Sequence, residues 1–283
     1  MSSSSRAVLD REYDNVRKIS TASFQAIIKH LERQSALASH RYQMAKDLAY
    51  GRGALEQLDV FGTGKHKTPV QVFIHGGYWH MLDKRDFGFV ANGLVPHGVT
   101  VVIVNYPLLP QVRMQGQVAA CHRALHWVRD HIADFGGDPE HISLIGHSSG
   151  AHIAAMLLTR RAHEDLCPGN AVTPEHACLI SGIYDLQPIQ ECFLNDTLAL
   201  SDEEVDSYSP IRQRPQTDCP LTIVVGGDEG KEYLCQSRGL IQAWAGTGNA
   251  PMALHVLNQE NHFTTRAQLN DPSSSIIKLL TRS

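Results

Sequence analysis

One serine of the chain lies in a glycine-flanked pattern that suits nucleophilic chemistry. Ser148 is the centre of a Gly-x-Ser-x-Gly motif at 146–150, which follows a short β-branched run at 142–145 and precedes an apolar stretch. The run predicts a buried strand and the apolar stretch a helix. A strand, a tight turn and a helix hold a serine hydroxyl at the end of a sheet, beside the amide of Ser149 at a helix N-terminus. The motif alone is weak evidence, but this context favours a nucleophile.

A pair of adjacent glycines after another predicted strand suits the binding of an oxyanion. The apolar strand at 70–74 runs directly into a His-Gly-Gly-Tyr-Trp motif. Adjacent glycines let the backbone approach a substrate closely and turn its amides inward. We expect the amides of Gly76, Gly77 and Ser149 to form an oxyanion hole, in which loss of one donor typically costs about 10²–10³ in rate. His75 is interpreted as an anchor of this loop rather than as a base.

A general base for Ser148 should lie in the loop after the last predicted strand. Of the sixteen histidines, only His262 lies in that loop, behind the strand predicted at 252–257. The acid that orients such a histidine should follow the preceding strand, where Asp228 and Glu229 are adjacent. Aspartate is the more usual acid, whereas Glu229 has the spacing from a glycine that is common in such loops. The residues alone leave both carboxylates open.

These motifs require a sheet whose strands end at one edge, and the rest of the chain predicts it. Apolar strands alternate with amphipathic helices, which indicates an α/β fold with a mostly parallel sheet flanked by helices. We predict a single domain at 1–283, with an N-terminal helical segment at 1–50 and a small cap insertion at about 185–215. The N-terminal segment either covers the mouth of the site or packs on the sheet edge. The strands are predicted at 55–61, 70–74, 99–104, 142–145, 177–183, 221–225 and 252–257.

Composition narrows the partners and the compartment. The formal net charge is -4 and the pI about 6.4, and the basic residues are dispersed, so we expect neither nucleic acid nor an anionic membrane as partner. Six cysteines without close pairing indicate a reducing compartment. A polar, Ser-rich N-terminus and the absence of a long apolar run predict a soluble, cytoplasmic protein with no signal peptide. Oligomeric state is left open, a homodimer included.

A metal site must be considered because histidines are numerous. His122 and His126 are four residues apart on one predicted helix and share a face, but no third ligand accompanies them. Two solvated histidines on an amphipathic helix are the favoured interpretation. We therefore expect no metal and no cofactor, and a small molecule as the substrate.

Three segments resemble a known family. The motifs at 75–79 (His-Gly-Gly-Tyr-Trp), 146–150 (Gly-His-Ser-Ser-Gly) and 261–263 (Asn-His-Phe) are similar to those of the α/β-hydrolase-fold arylformamidases, or kynurenine formamidases, and their esterase relatives. The resemblance covers nearly the whole chain and implies the α/β-hydrolase fold. It aligns the family's acid with Glu229 rather than Asp228. It also implies hydrolysis of N-formylkynurenine, an aryl formamide of tryptophan breakdown, and of aryl esters.

The function expected from these observations is that of a serine hydrolase. Ser148 attacks a carbonyl, His262 acts as base and then as acid, and Glu229 orients it. The alternative is a carboxylesterase acting on small or aromatic esters. A non-catalytic binding module is disfavoured, because such modules usually lack a member of the triad. The residues predicted to line a flat aromatic pocket, with a place in the core as the alternative for each, are Tyr78, Trp79, Tyr106, Tyr184 and Phe263.

Overall fold

Eight strands form one mixed sheet in the computed structural model, which describes residues 3–162, 172–216, 218–247 and 251–281. The strand order is β1-β2-β4-β3-β5-β6-β7-β8. The first two strands pair antiparallel, β2 pairs antiparallel with β4, and all other neighbours are parallel. The strands are β1 Gln43–Ala49, β2 Gln57–Phe61, β3 Thr68–Ile74, β4 Thr100–Val104, β5 Gly137–His147, β6 Ala177–Ile180, β7 Leu221–Gly226 and β8 Met252–Leu257.

Helices cover both faces of this sheet, as parallel strands joined by crossovers require. Two hydrophobic clusters, one on each face, form the core. The predicted fold class, a mostly parallel sheet flanked by helices with a small cap, is confirmed. The described helices are α1 Ser3–Tyr13, α2 Thr21–Tyr42, α3 Val90–Leu94, α4 Met114–His131, α5 Ser149–Leu157, α6 Gln187–Gln190, α7 Asn195–Leu198, α8 Asp202–Tyr208, α9 Lys231–Trp244, α10 His262–Ala267 and α11 Ser275–Leu280.

Strand register places the two motif loops side by side. Strands β3 and β5 are parallel neighbours, and their last paired residues are Ile74 and Gly146. The loop after β3 and the turn after β5 therefore leave the sheet at the same edge. Strands β7 and β8 also end at that edge, because they run parallel to β5 and β6.

The N-terminal segment differs from the prediction. Residues 1–50 were predicted to be helical, but the described part contains α1, α2 and then strand β1. This strand is the outermost of the sheet, has mixed exposure, and pairs with β2 through two register irregularities. An exposed, irregular edge strand has no clean alternation of apolar and polar residues, so its period gave no signal.

The insertion between β6 and β7 carries three short helices, α6 to α8, within the range predicted as a cap. Among the cysteines, Cys121 and Cys178 are buried in the core and Cys235 is exposed, whereas Cys167 lies outside the described residues. Across the described ranges, no helix has the length and apolarity needed to cross a bilayer.

Candidate active site

The turn at Ser148 has the strained geometry that its flanking glycines predict. Ser148 has φ 57° and ψ -124°, a backbone conformation that side-chain-bearing residues rarely adopt. A Cβ on Gly146 would lie 2.5 Å from Ala151 Cα, and one on Gly150 would lie 2.1 Å from Ile74 O. Only glycine fits at these two positions, so strand β5 and helix α5 approach closely around the serine.

Three side chains from separate loops form a continuous hydrogen-bonded chain. The Oγ of Ser148 lies 3.0 Å from Nε2 of His262, and Nδ1 of His262 lies 2.7 Å from Oε2 of Glu229. The serine, histidine and glutamate are all buried. Asp228, the alternative acid, is exposed on the loop. The arrangement can move a proton from a hydroxyl to an imidazole whose cationic form a carboxylate stabilises.

Local backbone structure fixes the histidine and the glutamate. His262 is the first residue of α10, and the side chain of Asn261 caps that helix through a capping box. The second glutamate oxygen, Oε1, accepts hydrogen bonds from Ser181 Oγ at 2.5 Å and from Gly226 N at 2.6 Å. These bonds hold the carboxylate in one rotamer, so its other oxygen points at His262. Ser181 was missed from the sequence as a site residue, although it directly follows strand β6.

The loop after β3 brings backbone amides to the serine. Gly77 has φ 122°, and a Cβ there would lie 2.1 Å from Met81 O. A Cβ on Gly76 would lie 3.0 Å from the Cβ of Ser148, so this residue packs directly against the nucleophile candidate. Among the described residues, no acceptor is paired with the amides of Gly76, Gly77 or Ser149. Unpaired amides around a serine hydroxyl are the donors that an oxyanion requires.

His75 and Tyr106 support this loop from beneath. The imidazole of His75 stacks on Tyr106 with ring centroids 4.4 Å apart, and the Tyr106 hydroxyl donates to His75 O at 2.7 Å. Burial lowers the pKa of His75, which favours its neutral form. The position agrees with the interpretation of His75 as an anchor. Tyr106 was predicted to line the substrate pocket; that prediction is wrong, because its ring and hydroxyl are both used in the core.

Two further aromatic residues of the predicted pocket also lie in the core. Trp79 is fully buried, donates from its backbone N to Ser149 Oγ at 3.2 Å, and donates from Nε1 to His152 Nδ1 at 3.1 Å. Tyr184 is fully buried beside Gly182, behind the sheet end. Neither side chain reaches the cavity next to Ser148. Trp79 and Tyr184 are therefore structural residues, and the prediction that they line the pocket is wrong.

A cavity of about 330 Å³ opens beside Ser148 and His262, and Tyr78 and Phe263 line it as predicted. Its remaining walls are mostly apolar and come from three places. The N-terminal segment, the cap and the loop after the glycine pair each contribute side chains. In that order, the principal ones are Tyr13, Asn15, Val16, Phe24 and Ile28; Phe193, Leu194 and Thr197; and His80, Met81 and Leu82.

Hydrogen bonds join the N-terminal wall to Tyr78 and to helix α9, which follows the loop that carries Glu229. Asn15 donates from Nδ2 to the hydroxyls of Tyr78 and Tyr233, each at 2.7 Å. The Tyr78 hydroxyl donates to Tyr13 O. Sequence reasoning missed Asn15, Tyr13 and Tyr233, since nothing in the local pattern connects residues that are more than 200 positions apart. The N-terminal segment therefore covers the mouth of the site, one of its two predicted placements.

Aromatic rings pack around His262, the histidine of the hydrogen-bonded triad. Tyr233 and His147 lie against His262 with ring centroids 4.7 and 4.8 Å away. Burial, and then the neighbouring His262, lower the pKa of His147 well below its ordinary value, so His147 is neutral. Its Nε2 donates to His262 O at 3.1 Å, which fixes the backbone that carries His262. Within the described ranges, no three His, Cys, Asp or Glu side chains converge as ligands for a metal ion.

Comparisons with known proteins agree with this geometry. The BD-FAE family profile matches residues 58–243. Kynurenine formamidase of Salmo salar is 32% identical over 264 residues, covering 90% of this chain and 85% of that protein. Esterase LipQ of Mycobacterium tuberculosis is 34% identical, covering 79% of this chain and 58% of that protein.

The solved structures agree as well. A candidate thioesterase from Silicibacter sp. tm1040 superimposes with a TM-score of 0.83 at 25% identity, covering 96% of this chain and 98% of that one. Esterase B of Lactobacillus rhamnosis shares the fold, with a TM-score of 0.71 over 92% of this chain and 94% of that one, at 18% identity. The chain therefore belongs to the BD-FAE family and is a hydrolase with the α/β-hydrolase fold of the arylformamidase and esterase group.

Proposed function

We propose that this protein is a serine hydrolase that works through an acyl-enzyme, with Ser148 as nucleophile, His262 as base and Glu229 as the orienting acid. The observation that carries the proposal is the buried hydrogen-bonded chain, 3.0 Å from serine to histidine and 2.7 Å from histidine to glutamate. The first distance allows direct proton transfer from the serine to the histidine, and the second is a hydrogen bond that orients the imidazole. The exposed position of Asp228 supports Glu229 as the acid.

The reaction follows from the positions of the groups. Ser148 Oγ attacks the carbonyl carbon while His262 Nε2 takes its proton, and the amides of Gly76, Gly77 and Ser149 stabilise the resulting oxyanion. When the tetrahedral intermediate collapses, His262 gives the proton to the leaving amine or alcohol. Water then attacks the acyl-serine, with His262 again as base, and the free acid leaves. Glu229 stays ionised and stabilises the imidazolium in both halves.

For the substrate, we propose an aryl formamide such as N-formylkynurenine, with a place in cytoplasmic tryptophan breakdown. The cavity supports this, since a mostly apolar volume of about 330 Å³ with Phe24, Tyr78, Phe193 and Phe263 in its walls suits one flat aromatic molecule. The relatives support it too, because kynurenine formamidases of Salmo salar and Danio rerio are both 32% identical to this chain. A formyl group is the smallest acyl group and needs little room beside Ser148.

A carboxylesterase is the second candidate. The similarity to esterase LipQ favours it, and the same nucleophile, base and oxyanion donors would cleave an aryl ester without change. An ester is the easier substrate, because its alkoxide leaving group needs less protonation than an amine.

The test compares two substrates on the same protein. We expect kcat/KM for N-formylkynurenine to equal or exceed that for p-nitrophenyl acetate, and we expect a fluorophosphonate probe to label Ser148. Turnover of the ester with a formamide rate at background would refute the formamidase assignment and leave the esterase. Failure of labelling together with failure of both reactions would refute the serine hydrolase itself.

A further inference from the structure

Among the residues that the structure describes, one buried cation lines the cavity next to the triad. Arg266 lies on α10, one helical turn after His262, and only 7% of it is exposed. The cavity wall includes it together with Ser148, His262 and Phe263. Its guanidinium lies over the rings of Phe263 and Phe87, with the carbon 5.4 and 5.7 Å from their centroids. The two rings and the helix fix where the charge sits.

The described residues leave this guanidinium without a partner. None of them accepts a hydrogen bond from it, its Nε is buried without an acceptor, and no carboxylate lies within ion-pair distance. Asp86 is the acid that acts on it electrostatically, but the Asp86 carboxylate accepts from Asp83 N at 3.0 Å within a capping box. Asp14, the acid in the cavity wall, is paired with Arg17 at 3.0 Å.

An unpaired buried charge is costly, so its presence beside a reaction site calls for a role. Removing a cation from water without a counter-ion is strongly unfavourable, and proteins usually pair or remove such groups. Burial lowers the pKa of Arg266 to about 10, so it stays protonated at neutral pH. The aromatic faces offset part of this cost, but they do not satisfy the N–H donors.

We propose that Arg266 binds a carboxylate of the substrate, so that the site is selective for acyl donors that carry a carboxylate. This rests on the proposed function, because it assigns the substrate class of the same pocket. A guanidinium presents a planar fork of donors that matches a carboxylate, and the apolar surroundings strengthen the pairing. The otherwise apolar walls accept the aryl ring, and the cation accepts a charged side chain at its end. A substrate with an aryl ring and a carboxylate therefore matches both the apolar walls and Arg266.

The experiment measures selectivity on substrates matched in all but charge. The first pair is N-formylkynurenine and its carboxamide. The second pair is an ortho-substituted phenyl acetate whose side chain carries the carboxylate at the same position, and its carboxamide. For the wild-type protein we expect kcat/KM to favour the carboxylate by about 10- to 100-fold, the range for a hydrogen bond to a charged group. Most of the difference should lie in KM.

Three variants separate recognition from structure. Arg266→Met keeps an unbranched apolar stem over Phe87 and Phe263 but removes the charge, and it should bring the carboxylate-to-carboxamide ratio to about 1. Arg266→Lys keeps the charge without the fork and should give an intermediate ratio. Arg33→Met removes an exposed arginine from α2, the helix that also supplies wall residues, and should leave the ratio at its wild-type value. A purely structural arginine would change rates for all substrates equally.

Failure of this inference and failure of the proposed function give different results. A wild-type ratio near 1 in both substrate pairs, with turnover intact, would overturn the role of Arg266 and leave the serine hydrolase standing. A wild-type ratio that persists in Arg266→Met would likewise overturn it. Loss of formamide turnover alone would refute the formamidase, while the ester pair would still report on the carboxylate.

Discussion

The two sides of the cavity are built in different ways. On one side, Ser148 and Glu229 lie in the turns after parallel strands, and His262 lies at the start of α10 after the last strand. On the other side, the wall comes from the N-terminal segment and the cap, including Asn15 and Phe193. The first side depends on strand register and on helix caps. The second depends on contacts between segments far apart in the chain.

This difference separates the groups that carry out the reaction from most of the groups that contact the substrate. The sheet edge holds its loops in place because neighbouring strands are hydrogen-bonded along their length, and β3, β5 and β7 are largely buried. The opposite wall is held by a few side-chain hydrogen bonds, such as those of Asn15 to Tyr78 and Tyr233. Changes in the wall can therefore alter what binds without moving the reacting groups, which is how one fold serves many hydrolases.

The largest expected effect is the removal of the nucleophile. Ser148→Ala should lower kcat/KM for p-nitrophenyl acetate by about 10⁴-fold or more and abolish fluorophosphonate labelling, because no other hydroxyl occupies its position. Ser143→Ala, on the same strand but away from its end, is the matched control and should keep full labelling. Labelling that survives Ser148→Ala would place the nucleophile elsewhere.

The second effect distinguishes the two adjacent acids. Glu229→Gln should lower kcat by about 10³- to 10⁴-fold, because it removes the negative charge that orients and stabilises the His262 imidazolium. Asp228→Asn removes an exposed carboxylate next to it and should change kcat less than about twofold. The kcat values of the two variants with one ester are compared. A larger loss of kcat in Asp228→Asn than in Glu229→Gln would assign the acid to Asp228.

The sheet side of the cavity was predictable from sequence, and the wall was not. A glycine pair, a glycine-flanked serine and a histidine after the last strand are local patterns with a definite order, so the structure brings Ser148 and His262 together as expected. The aromatic residues are different, since Trp79, Tyr106 and Tyr184 have the composition of a pocket but the burial of a core. Residue type does not distinguish an aromatic residue of the pocket wall from one of the core, because tertiary packing decides between them.

Strand β1 and the hydrogen bonds of Asn15 were not predicted from the sequence, for a related physical reason. Strand β1 is half exposed and irregular in register, so its sequence has no period. Asn15 is a polar residue in a short linker between α1 and α2, and its partner Tyr233 is 218 residues away. Such contacts are decided by tertiary packing, which a local window of residues does not contain.

A medium effect should follow from breaking the wall while sparing the sheet edge. Asn15→Leu removes two hydrogen bonds to tyrosine hydroxyls and should destabilise the protein by about 1–3 kcal/mol. We expect KM for an aryl ester to rise about threefold to tenfold and kcat to change less than about threefold. Steady-state kinetics and thermal unfolding measure both. A fall in kcat comparable to that of Glu229→Gln would show that the wall also positions the reacting groups.

A double-mutant cycle sharpens this result. Tyr78→Phe removes one of the hydroxyls that Asn15 contacts. If the two side chains act as a unit, Asn15→Leu combined with Tyr78→Phe should cost less than the sum of the single changes, with a coupling of about 0.5–1.5 kcal/mol. Strict additivity of the two free-energy changes would show that Asn15 and Tyr78 do not act as a unit.

The last effect is on stability and concerns His152, which joins the oxyanion loop to the cap. His152 on α5 accepts from Trp79 Nε1 of the oxyanion loop at 3.1 Å and donates from Nε2 to Tyr208 O of the cap at 2.7 Å. A second proton on Nδ1 would face the Trp79 donor, and burial lowers the pKa of His152 from 6.5 to about 4. Because the unfolded chain binds this proton more readily, the free energy of unfolding should be unaffected above pH 6.5 and fall as the pH drops towards 4.

The size of this effect follows from the pKa difference between the folded and unfolded states. At about 1.4 kcal/mol per pKa unit, His152 should reduce stability by about 2 kcal/mol between pH 7 and pH 5. His152→Gln keeps a donor and an acceptor but does not titrate, so its unfolding free energy should fall less over that interval. His66→Gln, at an exposed loop position, should keep the wild-type dependence. Urea unfolding at both pH values measures the slopes, and equal slopes in wild type and His152→Gln would mean that the join between loop and cap is insensitive to protonation.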